Sequence, residues 1–521
     1  MKEGAIIPVD IPDESFKSYL LKNRFNRIVL LIAAVAIIIQ FSVFKYFYPY
    51  ASYIHGDSFV YLAIAYDNLD IESYMVGYGR FLRIFSVFSS SDMVLTAFQY
   101  LLIQGSALFL LFTTFYFYRP VKAVKVILLA FMVLNPLFLY MGNMISSDGL
   151  FLALSLIWIT LLLWIIHRPN TNLIIWHTLV LFIAFTVRYN ALIYPVIAAV
   201  VFLVSRMQVR KKLAGAGTGI LLCGLFVLYT GNKYQALTGI WQYSPFSGWL
   251  MANNAMYAYR HVDSAARKPV PVRFKTLDNM IRTHFDSTRD VKKYPAEGLM
   301  ASTVYMWSSG MPLYAYRDKQ FKKDTTASEL RKWATMGPLY KAYGAYIIRK
   351  YPWHYLRYFI WPNANKYYAP PVEFLESYNS GSYKVAPIAQ LWFGYKSTRV
   401  KTRTKDLQIK LLDFYPIFSG IINVVMACCL ICFFMLDGLR MNMLFRKGML
   451  LAGAIWLLNA GFTIFASSAA LRFQSFPIML TTVFTGLLLD WIWKMGIKEQ
   501  HEARQIKEKD QQAKLISEAL A

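Results

Sequence analysis

The chain alternates between uncharged apolar blocks of about twenty residues and short connectors rich in lysine and arginine. A helix of that length rises about 30 Å, the thickness of a bilayer core, and a soluble core rarely needs so many consecutive uncharged turns. The first block, residues 28–47, follows a polar lead (residues 1–27) with Lys17, Lys22, Arg24 and Arg27 beside it. Basic flanks stay cytoplasmic, so residues 48–92 form an outer loop. Further spans are expected at 93–117, 124–141, 149–166, 172–187, 191–205 and 213–230, and later at 413–436, 448–466 and 473–493. Arg119, Lys122, Lys125, Arg168, Arg206, Arg210, Lys211, Lys212, Arg440, Arg446, Lys447, Lys494 and Lys498 mark the inner connectors, whereas Gly142 to Asp148 has no base and fits outside. Asn135-Pro136 should kink the third span or end it early. Spans five and six fall short of the usual length, as tilted pieces buried in a bundle would.

The pattern predicts an all-α polytopic membrane protein of about ten transmembrane helices with both termini cytoplasmic. An N-terminal bundle (28–230) and C-terminal helices (413–493) flank a mainly helical outer domain (231–412), and a charged tail (494–521) lies inside. Within the outer domain, Gly248 to Arg260 reads as a short helix near the membrane, and residues 263–297 as loop plus short helix. Ser328 to Lys350 has helical periodicity, with Tyr340, Tyr343, Ile347 and Ile348 on one face; Gly344 on that face costs the helix about 1 kcal/mol against alanine. From Tyr351 to Trp361, aromatics among Arg349, Lys350, His354 and Arg357 predict an amphipathic helix lying in the interface.

Composition sharpens the picture in two places. The 521 residues are 57% hydrophobic and 17% aromatic, with net charge +26 from 55 basic and 29 acidic residues. In a soluble chain that excess would suggest nucleic acid; here it sits in membrane-flanking loops and the outer domain, where anionic lipid or an anionic ligand is the expected partner. The four cysteines, Cys223, Cys428, Cys429 and Cys432, lie in predicted spans and give neither a disulfide framework nor a metal cluster. The first block lacks a small-residue cleavage site and precedes many more spans, so it reads as a retained helix.

Four polar signals stand at the mouths of spans, and counting through the membrane brings all four out on one face: Asp57, Asp148, Arg188 and Arg472. Asp57 is either the cap of a short outer helix or a general base that takes the proton of an attacking hydroxyl while a phosphate leaves carbon one of a sugar. Asp67, ten positions on, is a candidate helper carboxylate. Asp148, in Ser146-Ser147-Asp148, is a helix cap, a second site carboxylate or a clamp on Arg188. Arg188 and Arg472 stand among apolar residues, where a guanidinium needs a counter-ion; two of them at the bilayer edge suit a lipid phosphate held bidentately, with interfacial snorkelling as the alternative. Lys233, Lys366 and Arg80 are further phosphate-binding candidates. Tyr61, Tyr78 and Trp249 are candidate sugar or acceptor contacts, as are Trp307, Trp361, Tyr367 and Tyr368, each alternatively an interface anchor or loop core. His55 beside Asp57 could tune it, and with no ligand spacing motif no metal site is assigned; a divalent metal is left open.

These residues carry a resemblance. The chain is similar to the integral-membrane glycosyltransferases of the GT-C superfamily, nearest to the bacterial branch that resembles protein O-mannosyltransferases and lipid A aminoarabinose transferases. The likeness rests on Gly56-Asp57-Ser58 with Tyr61, on Ser147-Asp148, on Arg188 with Leu192 and Pro195, on Arg472 with Pro477, and on Lys350-Tyr351-Pro352. The family often has an acidic pair at the first of these; here Ser58 takes the second place. The resemblance implies transfer of a sugar from a polyprenyl-phosphate donor to a lipid, glycan or protein acceptor, by a single inverting displacement. It places the active site at the periplasmic face of a bacterial inner membrane. No Gly-rich phosphate loop appears on the inner face. A transporter or flippase of lipid-linked saccharides, a non-glycosyl lipid-phosphate transferase and a non-catalytic scaffold are the rival readings; a transporter would place functional charge near the midplane, often in repeated halves.

Overall fold

The computed structural model describes residues 13–404, 406–441 and 443–519, with side chains as far as Ile497. Among the described residues, eight helices are long and apolar enough to cross a membrane: Arg24–Phe47, Asp92–Tyr118, Lys122–Asn143, Ser147–His167, Val209–Thr238, Tyr415–Met435, Met443–Ala466 and Leu471–Ile497. The chain is therefore an integral membrane protein of several spans, and among the described residues its only β-structure is three isolated bridges. The fifth and sixth expected spans are the two shorter apolar helices, Thr171–Val187 and Tyr189–Val204. The first of these reaches only about 26 Å at 1.5 Å per residue. Asn135 and Pro136 break the third span as expected: Lys122–Val133 stops, and the Asn135 side chain caps Pro136–Asn143. The charged tail is helical and continuous with the last span, from Leu471 to Ala519.

Ser147–His167 is the axis of the bundle, buried nearly all round. Trp158 on it stacks on Tyr194 with ring centres 3.8 Å apart. Arg24–Phe47 lies at the rim; Leu31, Ile32, Ile38 and Ile39 remain exposed there, an apolar face for lipid. Such a helix gains its place from the bilayer rather than from protein packing.

The region expected as an outer domain, 231–412, contributes to two hydrophobic cores. Residues from Tyr234 to Ile360 close a core of their own, whereas Tyr367 to Leu412 pack into the bundle core. The outer core forms on Pro245–Tyr259 and Glu329–Lys350. These helices approach so closely that a Cβ on Gly248 would sit 2.0 Å from the Gly337 carbonyl oxygen, and one on Gly344 2.6 Å from Met251. Gly344 is thus required by the contact, rather than a weakness in its helix. The expected short helix is present as Pro245–Tyr259, and it is buried in this core. The expected interfacial helix is Pro352–Tyr355 and Trp361–Tyr368 joined by a π turn at Leu356–Ile360. It buries Phe359 and Ile360 while Trp353 and Trp361 stay 77% and 66% exposed.

The strap from Tyr367 to Leu412 lies over the first outer loop. Tyr378 donates to the Tyr50 carbonyl at 2.8 Å, the Asn379 amide donates to Ser52 Oγ at 2.9 Å, and the hydroxyls of Tyr53 and Tyr395 meet at 2.8 Å. Ser52 also exchanges backbone bonds with Asn143 and Ile145, which carries the loop to the start of the central helix. That juxtaposition brings residues near position 57 to residues near 148.

Candidate functional site

Asp57 opens the helix Asp57–Tyr66, and Gly56 before it takes φ +95°, a conformation that lets the loop turn sharply into the helix. Its side chain caps nothing. One carboxylate oxygen accepts from the Tyr74 hydroxyl at 2.7 Å, the other from Arg472 Nη1 at 2.8 Å. The same Arg472 nitrogen lies 3.1 Å from Asp148 Oδ2, and Asp148 Oδ1 pairs with Arg188 Nη1. Arg188 Nη1 also donates to Ser147 Oγ at 3.2 Å, and Ser147 meets the Tyr61 hydroxyl at 2.9 Å. Ser146, not Asp148, caps the central helix, so the Asp148 carboxylate is free to bind the arginines. The clamp reading of Asp148 is the one the geometry realises.

The local backbone explains why these charges seek one another. Asp57 and Asp148 each sit in the first turn of a helix, where the backbone dipole favours an anion. Arg472 is the second residue of Leu471–Ala519, an end that disfavours a cation. Two carboxylates offset that cost. The Phe473 ring lies between the guanidinium carbons, 4.7 Å from that of Arg188 and 4.3 Å from that of Arg472, and Phe374 lies 4.5 Å from Arg472 on its own account. Arg472 Nε is buried with no hydrogen-bond partner among the described residues.

Asp57, Tyr61, Tyr74, Arg188 and Arg472 share the wall of one cavity of about 1220 Å³, between the outer core and the outer ends of the bundle helices. Apolar and aromatic side chains, among them Leu192, Trp241, Phe246 and Trp307, make up much of the rest. That volume exceeds an ordinary small-ligand site of about 300–1,000 Å³ and is large enough for two reactants. Exposure separates the four charged groups: the Asp57 and Arg188 side chains are 19% and 16% exposed, Asp148 only 1%. Asp148 is absent from the cavity wall and pairs with both of the arginines that line it. His55 lines the cavity beside Asp57 and packs against Phe59. Among the described residues, no three His, Cys, Asp or Glu side chains are grouped to hold a metal.

Several other candidates lie elsewhere. Asp67 is exposed at the far end of the Asp57 helix, about 15 Å away at 1.5 Å per residue. Arg80 and Lys233 both pair with Asp70, at 2.7 and 2.8 Å, and neither lines the cavity. Lys366 Nζ donates to the Ala301 carbonyl at 3.3 Å and is likewise off the wall. Tyr78 is fully buried, donating to Gln99 at 2.8 Å. Trp249 is core, its indole donating to the Trp333 carbonyl. Tyr367 is buried against Trp456, and Trp361 is exposed away from the cavity.

Three wall residues carry no signal in the sequence. Tyr74 sits in a polar loop, and burial together with the Asp57 charge raises its hydroxyl pKa. Phe374 adopts φ +67°, which a bulky side chain takes only when its surroundings enforce it, and the turn sets its ring beside Arg472. Glu373 precedes it on the same wall, in a segment tied to the bundle where the Pro371 carbonyl accepts from the Leu471 amide at 2.9 Å. Burial raises the Glu373 carboxyl above the ordinary range, against the opposing pull of Lys366 and Arg472. Folding therefore favours its protonated form, and the charged form weakens the fold as pH rises from the unfolded value of about 4.3 through the raised one. Glu373→Gln should match the wild type in thermal midpoint at about pH 4. It should become the more stable of the two towards neutrality. A gap that narrows as pH rises would contradict this assignment.

Comparison with protein-family models, with curated proteins and with solved structures finds no match for the chain.

Proposed function

We propose that the cavity is the active site of a membrane glycosyltransferase of GT-C type, which moves a sugar from a polyprenyl-phosphate donor to an acceptor hydroxyl at the outer face of the membrane. The observation that carries the reading is the Asp57–Arg472 pair on an apolar-walled cavity beside Arg188. A base and two guanidinium groups within one site match the two needs of such a transfer. The acceptor O–H gives its proton to Asp57 as its oxygen forms the bond to carbon one of the sugar. The bond from that carbon to phosphate oxygen breaks in the same step, with inversion. The departing polyprenyl phosphate gains one negative charge, and donors aimed where charge develops stabilise the transition state most.

The ion pairs give the sequence of events a physical basis. Arg472 is shared between Asp57 and Asp148. A donor phosphate that takes Arg472 loosens its hold on Asp57, and a carboxylate that loses a cationic partner becomes a stronger base. Donor binding thus prepares the base. Asp148 stays behind and keeps both arginines aimed at the cavity. The reading has the catalytic site face the periplasm of a bacterial inner membrane, with anionic lipids around it and no role for nucleic acid.

The test is binding by the purified protein of polyprenyl monophosphate against a nucleotide sugar. The lipid phosphate should bind and the nucleotide sugar should not. Arg188→Lys and Arg472→Lys keep the charge but lose the planar fork, and each should weaken lipid-phosphate binding by about tenfold. Equal binding of a nucleotide sugar, or unaltered affinity in both lysine variants, would remove the proposal.

A further inference from the structure

The outer strap carries a concentration of positive charge that the transfer reaction does not use. Residues 383–404 contain Lys384, Lys396, Arg399, Lys401 and Arg403 and no acidic residue, and Asp406 and then Lys410 follow. All six are exposed. None forms an ion pair among the described residues.

Its placement is fixed at both ends. The Arg403 amide donates to the Phe47 carbonyl at 2.9 Å, its guanidinium donates to the Tyr46 carbonyl at 3.1 Å, and that group lies 4.4 Å from the Tyr46 ring centre. Tyr46 and Phe47 end the first span and are 59% and 42% exposed. At the other end Lys410 stands just before Tyr415–Met435, where Leu411, Phe414 and Ile417 are exposed. Ahead of Arg403 in the chain, the Lys384 and Arg399 backbones pair as an antiparallel bridge, flanked by Val385 N to Thr398 O and Val400 N to Tyr383 O, both 2.9 Å. A braced ribbon of unpaired cations therefore sits where two lipid-facing helices leave the bilayer. Exposed Tyr383 and Leu391 beside it supply the apolar contacts that interfacial segments use.

We propose that this ribbon is a binding surface for the phosphate headgroups of anionic lipids in the outer leaflet. Each lysine or arginine near an anionic leaflet attracts it, over a range set by the Debye length. The surface is distinct from the Asp57 cavity, and none of its cations lines that cavity. The proposal therefore stands whether or not the protein transfers sugar.

The test uses the full chain in asymmetric vesicles of phosphatidylcholine, with phosphatidylglycerol confined to the leaflet facing the outer domain. Spin-labelled lipid in that leaflet reports which headgroup the protein selects. Lys384→Gln, Arg399→Gln, Lys401→Gln and Lys410→Gln are combined; Arg403 is kept because it braces the first span. The wild type should prefer phosphatidylglycerol, and the fourfold variant should lose at least about threefold of that preference. Raising salt to about 0.5 M should collapse the difference. An unchanged preference in a variant with the wild-type thermal midpoint in pure phosphatidylcholine would overturn the proposal. So would displacement of the lipid by about 10 mM glycerol phosphate, which would make the ligand a soluble phosphate rather than a membrane surface.

Discussion

Asp57→Asn should leave a folded protein whose transfer rate falls by about 10²- to 10⁴-fold, the usual contribution of a positioned general base. Asparagine keeps one oxygen, which accepts from Arg472, and turns an NH2 towards the Tyr74 hydroxyl, so the site loses its proton acceptor while Arg472 keeps a partner. Arg472 retains Asp148 as its counter-ion, so the thermal midpoint should move little. Donor affinity should hold or improve, because the phosphate no longer competes with a carboxylate for Arg472. The joint outcome, slow turnover with undiminished donor binding, distinguishes loss of a base from collapse of the site. Full turnover in a folded Asp57→Asn protein would take the base role away from Asp57.

Asp148→Ala should do the opposite kind of damage. It leaves Arg188 without its carboxylate partner and Arg472 with only Asp57, and removing one partner from a buried ion pair costs about 3–5 kcal/mol. The loss should appear as a lower thermal midpoint in detergent and poor accumulation in membranes. Adding Arg188→Ala should recover part of the stability, because the uncompensated cation is gone; such recovery is the sign of coupled neighbours. An Asp148→Ala protein as stable as the wild type would show that the buried quartet is not what holds the outer ends of the helices together.

The parts of this site that could be read from the residues share one physical property. Asp57, Asp148, Arg188 and Arg472 each interrupt or border an apolar span, where an unpaired charge is expensive and so conspicuous. Alternation of spans then assigns them a common side before any contact is known. Tyr74, Glu373 and Phe374 had no such contrast, being polar or aromatic residues among many others in loops. Their place depends on a strap that returns to the first outer loop more than 300 positions later in the chain, as the Tyr53–Tyr395 contact shows. Arg80 and Lys233 looked free because nothing in the pattern revealed that a helix turn and the end of a long span would both present to Asp70. Trp249 and Tyr78 are candidate sugar platforms because large rings outside spans read as available; Trp249 is interior to the outer core and Tyr78 to the bundle core. The same holds for the outer region as a whole. Hydropathy marks where chain leaves the membrane but not which polar segment closes a core and which folds back on the bundle. Spans five and six were visibly short, and the helices Thr171–Val187 and Tyr189–Val204 keep that length.

The central claim is that Arg188 and Arg472 receive the phosphate of a lipid-borne donor while Asp57 is released beside it. The most direct measurement is a cryo-electron microscopy structure with a polyprenyl-phosphate sugar analogue bound. The expected result is phosphate density within about 3 Å of both guanidinium groups, the Asp57–Arg472 bond opened, and the Asp57 carboxylate turned to the sugar. Phosphate bound at the inner connectors, or in the cavity with Arg188 and Arg472 still paired only to Asp57 and Asp148, would contradict it.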